Sequence, residues 1–359
     1  MDLPNLRTKP TYDTLLDTLK SLQIKPASWD GASLAEVSRS ENDASVNTFL
    51  MSVIACDFGW LTDFEIGDAN SLAADDQKEN LIQEASKRVA ERCGRSAAGE
   101  MTRTWLIPKS LAIREISFRL REPPLTGDML GLKTWGTSYV IAKKLEHIGS
   151  EFLGGVINRF QGSPQVLELG AGTGLIFSYA SMPRSFDRVF PDDTKVGMAA
   201  AAIWATNVVL TDLEDIQDNL LFNIEGNLAT VEGLGGSMSG RVLDWTTPDT
   251  TLPLLPSKEF EIVIAADPMY DNEHPDLVAK MIQRFLKQGT ETRALVAIPL
   301  RDDHTRRMEA EFSNTMMNSG FCVVHQGSEI FKDDWGTTEE VQVQWTIWRR
   351  FEGSGTAED

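Results

Sequence analysis

The sequence predicts an α/β protein in which a mainly parallel sheet carries helices on both faces and ends in an antiparallel hairpin. From Val166 onward, short apolar runs that suit buried strands alternate with helical segments, and this alternation is typical of parallel sheets. Two later runs lack an obvious helix between them, which predicts the hairpin. The predicted strands are 165–169, 207–211, 240–243, 261–266 and 293–299, followed by 321–324 and 341–348.

Composition limits the class of protein. The 359 residues, 42% of them hydrophobic, can build a sizeable core in two units or in one enlarged α/β domain. A net charge of −19 argues against direct binding of nucleic acid, because an acidic surface repels phosphates, and it is compatible with a basic protein partner. Three widely spaced cysteines indicate a reducing compartment and no metal site. Without a signal-peptide core or a long apolar run, we expect a cytoplasmic monomer with no membrane partner.

Residues 1–125 differ in texture from the rest and are expected to form an extension of helices followed by a β-hairpin. Apolar residues at helical spacing predict helices within 12–22 and 81–90, the second of which Gly94 could end, and residues 63–76 read as a polar loop. Alternating Ile116, Phe118 and Leu120 predict a strand, with 105–107 as its partner. A helix over 136–153 should follow, and residues 352–359 resemble a disordered tail.

The strongest local signal is a buried strand that leads into the turn Gly170-Ala171-Gly172-Thr173-Gly174. Glycines permit a sharp turn and let a ligand approach the backbone closely. Glu168, just before the turn, could orient ligand amines. The third glycine comes one residue too early for a dinucleotide site, and no Walker lysine follows to bind ATP phosphates. The alternative interpretation is a tight strand–helix turn that binds nothing.

A carboxylate after the next strand could accept two hydrogen bonds from ribose hydroxyls. Asp192 has nearly the ordinary spacing from the glycines, but residues 188–191 make a poor strand. Asp212 follows the good strand 207–211 and precedes a helical run at 215–227, so we select Asp212. Residues 183–197 then form an inserted loop that interrupts the first helix.

A second polar pair follows the third strand. Asp244 could accept a hydrogen bond from an adenine amino group, and Trp245 could pack against the ring. The alternative is a helix-capping aspartate beside a surface tryptophan.

Five segments together resemble the seven-β-strand protein-lysine methyltransferases of methyltransferase family 16, which include fungal elongation-factor lysine methyltransferases and members described as glucose-inducible. The resemblance covers about residues 125–350. It rests on 131–135 (GLKTW), 167–174 (LELGAGTG), 211–212 (TD), 243–245 (LDW) and 267–270 (DPMY), the last matching the DxxY signature of the family.

The resemblance implies a Rossmann-like class I methyltransferase domain over 126–351 that uses S-adenosyl-L-methionine, with the extension recognising a substrate such as elongation factor 2. It implies that Asp267 and Tyr270 form the reaction site. The expected cofactor-binding residues are Trp135, Glu168, Gly170, Gly172, Thr173, Gly174, Asp212, Asp244, Trp245 and Ala266.

A lysine amine must lose a proton before it accepts a methyl group, which near neutral pH costs about 4 kcal/mol. A carboxylate nearby favours the charged amine, so Asp267 is expected to orient the amine rather than to lower its pKa. Tyr270 would wall a channel and present its ring to the cation. The competing functions are a small-molecule methyltransferase that uses the extension as a lid, and a catalytically silent binding module with the same fold.

Overall fold

The structure is a computed structural model that describes residues 3–24, 42–61, 68–93, 100–110, 112–123, 136–159, 163–172, 196–251, 255, 257–332 and 340–351. Within these residues the chain forms two compact units. The first ends at Met101, and the second begins at Thr102.

The first unit is helical. It contains α1 (Tyr12–Ser21), α2 (Asn42–Ile54) and α3 (Asp68–Arg92). The Thr11 hydroxyl caps α1 by accepting from the Thr14 amide. The helices share an apolar core, which includes Leu15, Leu19, Leu50, Val53, Phe58, Leu81 and Ala85.

The polar loop expected at 63–76 is wrong from residue 68 onward, because α3 begins at Asp68. This stretch is polar on average but rich in alanine, the strongest helix former. The negative charge of Asp68 at the N-terminus also stabilises the helix by interacting favourably with its dipole. Helix α3 ends at Arg92, and Gly94 lies outside the described residues.

The predicted hairpin is confirmed. Strands β1 (Met101–Ile107) and β2 (Ile116–Glu122) form a two-stranded sheet, and Ile116, Phe118 and Leu120 on one face of β2 are buried. These side chains belong to the core of the second unit, so the structure groups the hairpin with the large sheet. The boundary expected at residue 125 does not coincide with this division.

The second unit is built on a seven-stranded sheet whose order is β5-β4-β3-β6-β7-β9-β8. The first five strands in this order are parallel, and β9 pairs antiparallel with both β7 and β8. The expected parallel sheet and final hairpin are both confirmed. The strands are β3 (Gln165–Leu169), β4 (Asn207–Asp212), β5 (Ser237–Val242), β6 (Ile262–Ala266), β7 (Arg293–Leu300), β8 (Phe321–Lys332) and β9 (Glu340–Arg350).

Helices cover both faces of this sheet. Strand residues such as Val166 and Ile262 share a core with α4, α6 and α7, whereas their neighbours Leu167 and Val263 share another with α9 and α10. Both faces of β3, β4, β6 and β7 are therefore buried, which explains their apolar sequences, whereas the edge strand β5 is only partly buried and more polar. The helices are α4 (Gly136–Phe152), α5 (Gly154–Arg159), α6 (Val196–Trp204), α7 (Gln217–Glu232), α8 (Pro248–Thr251), α9 (His274–Phe285) and α10 (Asp303–Asn318).

Helix α6 begins at Val196, so the last two residues of the loop expected at 183–197 are helical, and the residues before them lie outside the described part. Strand β3 lies between β4 and β6. The chain thus adds β4 and β5 on one side of β3 and then crosses back to add β6 and β7 on the other side. Ligands of open α/β sheets bind at such a reversal, beyond the carboxyl ends of the strands.

Candidate active site

A pocket lies at the carboxyl ends of the parallel strands. Segments that follow β3, β4, β5 and β6, together with the start of α9, contribute to its walls. Residues far apart in the sequence therefore meet at the position that the strand order predicts. The lining residues are Gly170, Asp212, Leu213, Leu243, Trp245, Pro268, Tyr270 and His274.

The glycine-rich turn brings backbone close to the pocket. Gly170 has a φ of +65°, which an L-residue with a side chain rarely adopts. A Cβ atom there would lie 3.2 Å from Cζ2 of Trp245, so a side chain would also crowd the pocket wall. Gly172 donates its amide to the Oδ2 atom of Asp212 at 3.0 Å. The turn thus leaves room beside Trp245 at Gly170, and it holds the Asp212 carboxylate through the Gly172 amide.

Asp212 is the buried acceptor of the pocket. Its side chain is 3% exposed, and its Oδ1 atom accepts from the Leu213 amide at 2.7 Å. Burial raises the pKa of this carboxyl to about 8, although the hydrogen bonds from Leu213 and Gly172 act in the opposite direction. A ligand whose hydroxyl groups donate hydrogen bonds to this carboxylate would favour its charged form.

The position of Asp212 supports the choice made from strand quality. It is the last residue of β4, which is the immediate neighbour of β3, with Thr211 opposite Leu169. Asp192 lies outside the described residues, as do Trp135, Thr173 and Gly174.

Trp245 is 8% exposed and forms an apolar wall together with Leu213 and Leu243. Asp244 does not line the pocket. Its Oδ1 atom accepts from the amide and the hydroxyl of Thr246, and its Oδ2 atom accepts from the Thr247 hydroxyl at 3.0 Å. Burial would raise the pKa of Asp244, but these hydrogen bonds outweigh it and the pKa is lowered. The carboxylate is thus held within its own turn, and because Trp245 is buried, the alternative of a helix-capping aspartate beside a surface tryptophan does not describe this geometry; a contact between Asp244 and the adenine stays a prediction.

Glu168 and Ala266 are buried in the strands beside the pocket and are not among its lining residues. The Oε2 atom of Glu168 accepts from the Gly197 amide at 3.0 Å, which joins the end of β3 to the first turn of α6. Ala266 is the last residue of β6, directly before Asp267.

Asp267 is held by partners that the sequence analysis did not identify. Arg301 donates to both carboxylate oxygens, with Nη2 2.6 Å from Oδ2 and Nη1 3.2 Å from Oδ1. Thr137 donates its hydroxyl to Oδ2 at 3.1 Å. Asp267 itself is 1% exposed and has a φ of +56°, so its backbone is strained and its charge is paired with a cation. Arg301 directly follows β7, and its place at a strand end was the signal that could have identified it.

Tyr270 and His274 form the remaining wall. The Nδ1 atom of His274 accepts from the Tyr270 amide at 2.9 Å and from the Asp271 amide at 3.1 Å. Burial, reinforced by the charge of Asp267, raises the pKa of the Tyr270 hydroxyl well above its ordinary value. Tyr270 therefore stays protonated at neutral pH. His274 was not singled out from the sequence, where a lone histidine before a helical run carries no distinctive pattern.

These residues fit a nucleoside. Trp245 and two leucines can cover an aromatic base, and the carboxylate of Asp212 can accept ribose hydroxyls. Among the described residues, no group of three or more His, Cys, Asp or Glu side chains is placed to hold a metal ion. No helix in the described ranges is long and apolar enough to cross a membrane.

Two solved structures resemble the chain distantly. TYW2 of M. jannaschii in complex with AdoMet is 12% identical with a TM-score of 0.37, over 70% of this chain and 87% of that one. A methyltransferase from Pyrococcus furiosus is 13% identical with a TM-score of 0.35, over 61% and 90% of the two chains.

Sequence relatives are more informative. A family model described as lysine methyltransferase matches residues 195–319. The protein-lysine N-methyltransferase rrg1 of Schizosaccharomyces pombe is 29% identical over 351 residues, which cover 97% of each chain. The protein-lysine N-methyltransferase EFM2 of Saccharomyces cerevisiae is 30% identical over 274 residues, covering 73% of this chain and 58% of that longer protein. The chain therefore resembles protein-lysine N-methyltransferases over most of its length, matches the lysine methyltransferase family over residues 195–319, and is an S-adenosylmethionine-dependent methyltransferase.

Proposed function

We propose that this enzyme methylates a lysine side chain in a basic segment of a translation elongation factor, in the cytoplasm. The main support is the pocket itself, which joins the buried acceptor Asp212 and the wall formed by Trp245 to Tyr270 on one continuous surface. Relatives named as protein-lysine N-methyltransferases support the amine of a protein as the acceptor. A net charge of −19 suits a basic partner.

Within this proposal, Asp212 accepts the ribose hydroxyls, and Trp245 with Leu213 and Leu243 covers the adenine. Gly170 leaves room for the ligand beside Trp245, because any side chain there would occupy this space. Bound S-adenosylmethionine supplies a methyl group on a positively charged sulfur, which leaves as a neutral thioether. The protein has to bring the acceptor nitrogen into line and to exclude water, so most of its contribution is positioning.

The acceptor side is governed by Asp267, Arg301 and Tyr270. A lone buried carboxylate would hold a lysine in its charged form, which cannot accept a methyl group. The guanidinium of Arg301 balances the charge of Asp267 at 2.6 Å, so an amine nearby is held less strongly as ammonium. Tyr270 keeps its proton and cannot serve as the base at neutral pH. We therefore assign the lost proton to solvent and the orientation of the amine to this cluster.

The helical first unit is proposed to recognise the protein substrate. All the described residues that line the pocket belong to the second unit, so we expect cofactor binding not to depend on the helices of the first unit. A protein substrate needs a larger contact surface than the pocket offers.

The deciding experiment supplies purified enzyme and labelled S-adenosylmethionine to a lysate from cells that lack the enzyme. We expect one labelled band of an elongation factor, with methyl-lysine identified by mass spectrometry after digestion. Heat-inactivated enzyme and a Gly170→Val variant, whose side chain would meet Trp245, are the controls. Label only in small molecules would instead favour a metabolite substrate, and failure to bind the cofactor would indicate a silent binding module.

A further inference from the structure

The side chain of His274, which lines the pocket, contacts both Trp245 and Tyr270. Its ring lies edge-on to Trp245, with centroids 6.1 Å apart at 83°, and edge-on to Tyr270, with centroids 5.8 Å apart at 88°. Trp245 belongs to the proposed adenine side and Tyr270 to the acceptor side. A single imidazole therefore connects the two walls.

The hydrogen bonds of His274 define its tautomer. Its Nδ1 atom accepts from the backbone amides of Tyr270 and Asp271, and these donors carry a proton at any ordinary pH. Nδ1 must present a lone pair, so the proton of the neutral ring is on Nε2. Burial lowers the pKa of His274, although Asp271 and Glu273 oppose this effect, and the neutral form is consistent with both amide contacts. Nδ1 is thus committed to the fold and is not available as a base.

We propose that His274 is a positioning residue that holds the acceptor side of the pocket through Nδ1 and supports the cofactor side through its ring. This inference rests on the proposed function, because it places the acceptor amine beside Tyr270. The two amides belong to the turn that directly follows Asp267 and Pro268. Accepting from both of them restrains the direction in which the Tyr270 side chain leaves the backbone.

Two substitutions separate the two tasks. His274→Phe keeps a ring for the contacts with Trp245 and Tyr270 but removes the acceptor. His274→Asn removes the ring but places its Oδ1 atom where Nδ1 was, because both atoms are bonded to Cγ. A residue with a merely structural role would lose affinity and turnover together in both variants.

We expect a crossed result in the full-length protein. His274→Phe should bind S-adenosylmethionine within about 3-fold of wild type, since the ring pair is kept. Its single-turnover rate should fall by about 10- to 100-fold, since a displacement of about 1 Å at the acceptor has effects of this size. His274→Asn should lose about 2- to 10-fold in cofactor affinity, the range that one aromatic pair contributes. At saturating cofactor its turnover should stay within about 3-fold of wild type.

Amide hydrogen exchange gives a readout that does not need a substrate. Exchange at Tyr270 and Asp271 should be at least about 10-fold faster in His274→Phe and unchanged in His274→Asn, because only the former loses the acceptor. If the wild-type enzyme methylates no protein, the proposed function fails. The rates of amide hydrogen exchange and the affinity for the cofactor then still decide the role of His274. Unchanged exchange in His274→Phe, or parallel losses of affinity and turnover in both variants, would overturn the inference.

Discussion

Replacing Asp212 with asparagine should remove a pH dependence from cofactor binding. In the free protein burial raises the pKa of this carboxyl to about 8, so at pH 6 most molecules carry a neutral side chain there. Ribose hydroxyls donate to the carboxylate and favour its charged form. Binding should therefore release a proton below pH 8, and affinity should rise by up to about 10-fold per pH unit before levelling above pH 8.

The magnitude follows from the contacts. Hydrogen bonds to a charged group contribute about 1.5–3 kcal/mol each, so Asp212→Asn should weaken binding by at least about 10-fold at pH 8.5. At pH 6 the two proteins should differ less, because the wild-type carboxyl is then mostly neutral. Asp244→Asn is the matched control, since Thr246 and Thr247 hold that carboxylate outside the pocket lining.

The same substitution has a consequence for stability. The folded pKa of Asp212 is higher than the unfolded value near 4, so the folded state retains a proton that the unfolded chain has lost. This contribution to stability is complete below pH 4 and is lost as the pH rises to about 8. Asparagine does not titrate, so the variant should show a shallower decline of stability between pH 5 and 8.

Calorimetry from pH 6 to 9, in buffers of different ionisation enthalpy, measures both affinity and proton release. The amine of the ligand also titrates in this range, and the comparison with Asp212→Asn removes its contribution. Urea unfolding at the same pH values measures stability. An asparagine variant with the wild-type pH dependence of binding would show that Asp212 does not contact the ribose, and the assignment would be abandoned.

Four further predictions concern other parts of the molecule. Arg301→Met should lower the free energy of unfolding, measured with urea, by about 3–5 kcal/mol, because it leaves the buried Asp267 without its cation, and Arg301→Lys should lower it less. Asp267→Asn should lower single-turnover methylation more than Tyr270→Phe with cofactor affinity nearly unchanged, whereas wild-type rates in both would leave these residues a structural role only. Asn227→Ala should lower the free energy of unfolding by about 1–3 kcal/mol and speed amide exchange in β2, since the Asn227 side chain bonds both the amide and the carbonyl of Arg119. A chain that starts at Glu100 should bind cofactor normally and lose methylation of the intact target, and its failure to fold would refute the division into two parts.

The central parallel strands β3, β4, β6 and β7 were predictable because each is buried on both faces, and this requirement appears in the local sequence as an apolar run. The final hairpin was predictable for a similar reason, from two runs with no helical segment between them. The start of α3 at Asp68 was not predicted, because the polar composition of 63–76 suggests a loop although the alanines within it favour a helix.

Some of the residues of the candidate site could likewise be predicted from the sequence, and others could not. Gly170, Asp212, Trp245 and Tyr270 line one pocket, as expected when residues follow neighbouring parallel strands. Asp244 is not among the residues that line it, and the hydroxyls of Thr246 and Thr247 engage its carboxylate. Short motifs identify which residues stand at strand ends, and they do not reveal which way each side chain turns.

The order of strands and helices and the residues at the strand ends follow from the sequence alone, because apolar periodicity and turn residues act over a few positions. The partners of those residues were decided by tertiary structure. Thr137 reaches Asp267 across 130 positions and Arg301 reaches it across 34, so neither contact has a local pattern. His274 lies only four residues from Tyr270, yet its Nδ1 contact depends on the turn between β6, a central strand of the sheet, and α9, which packs on the sheet. Burial and charge pairing are properties of that packing, and they decide which carboxylate lines the pocket and which is held by a cation.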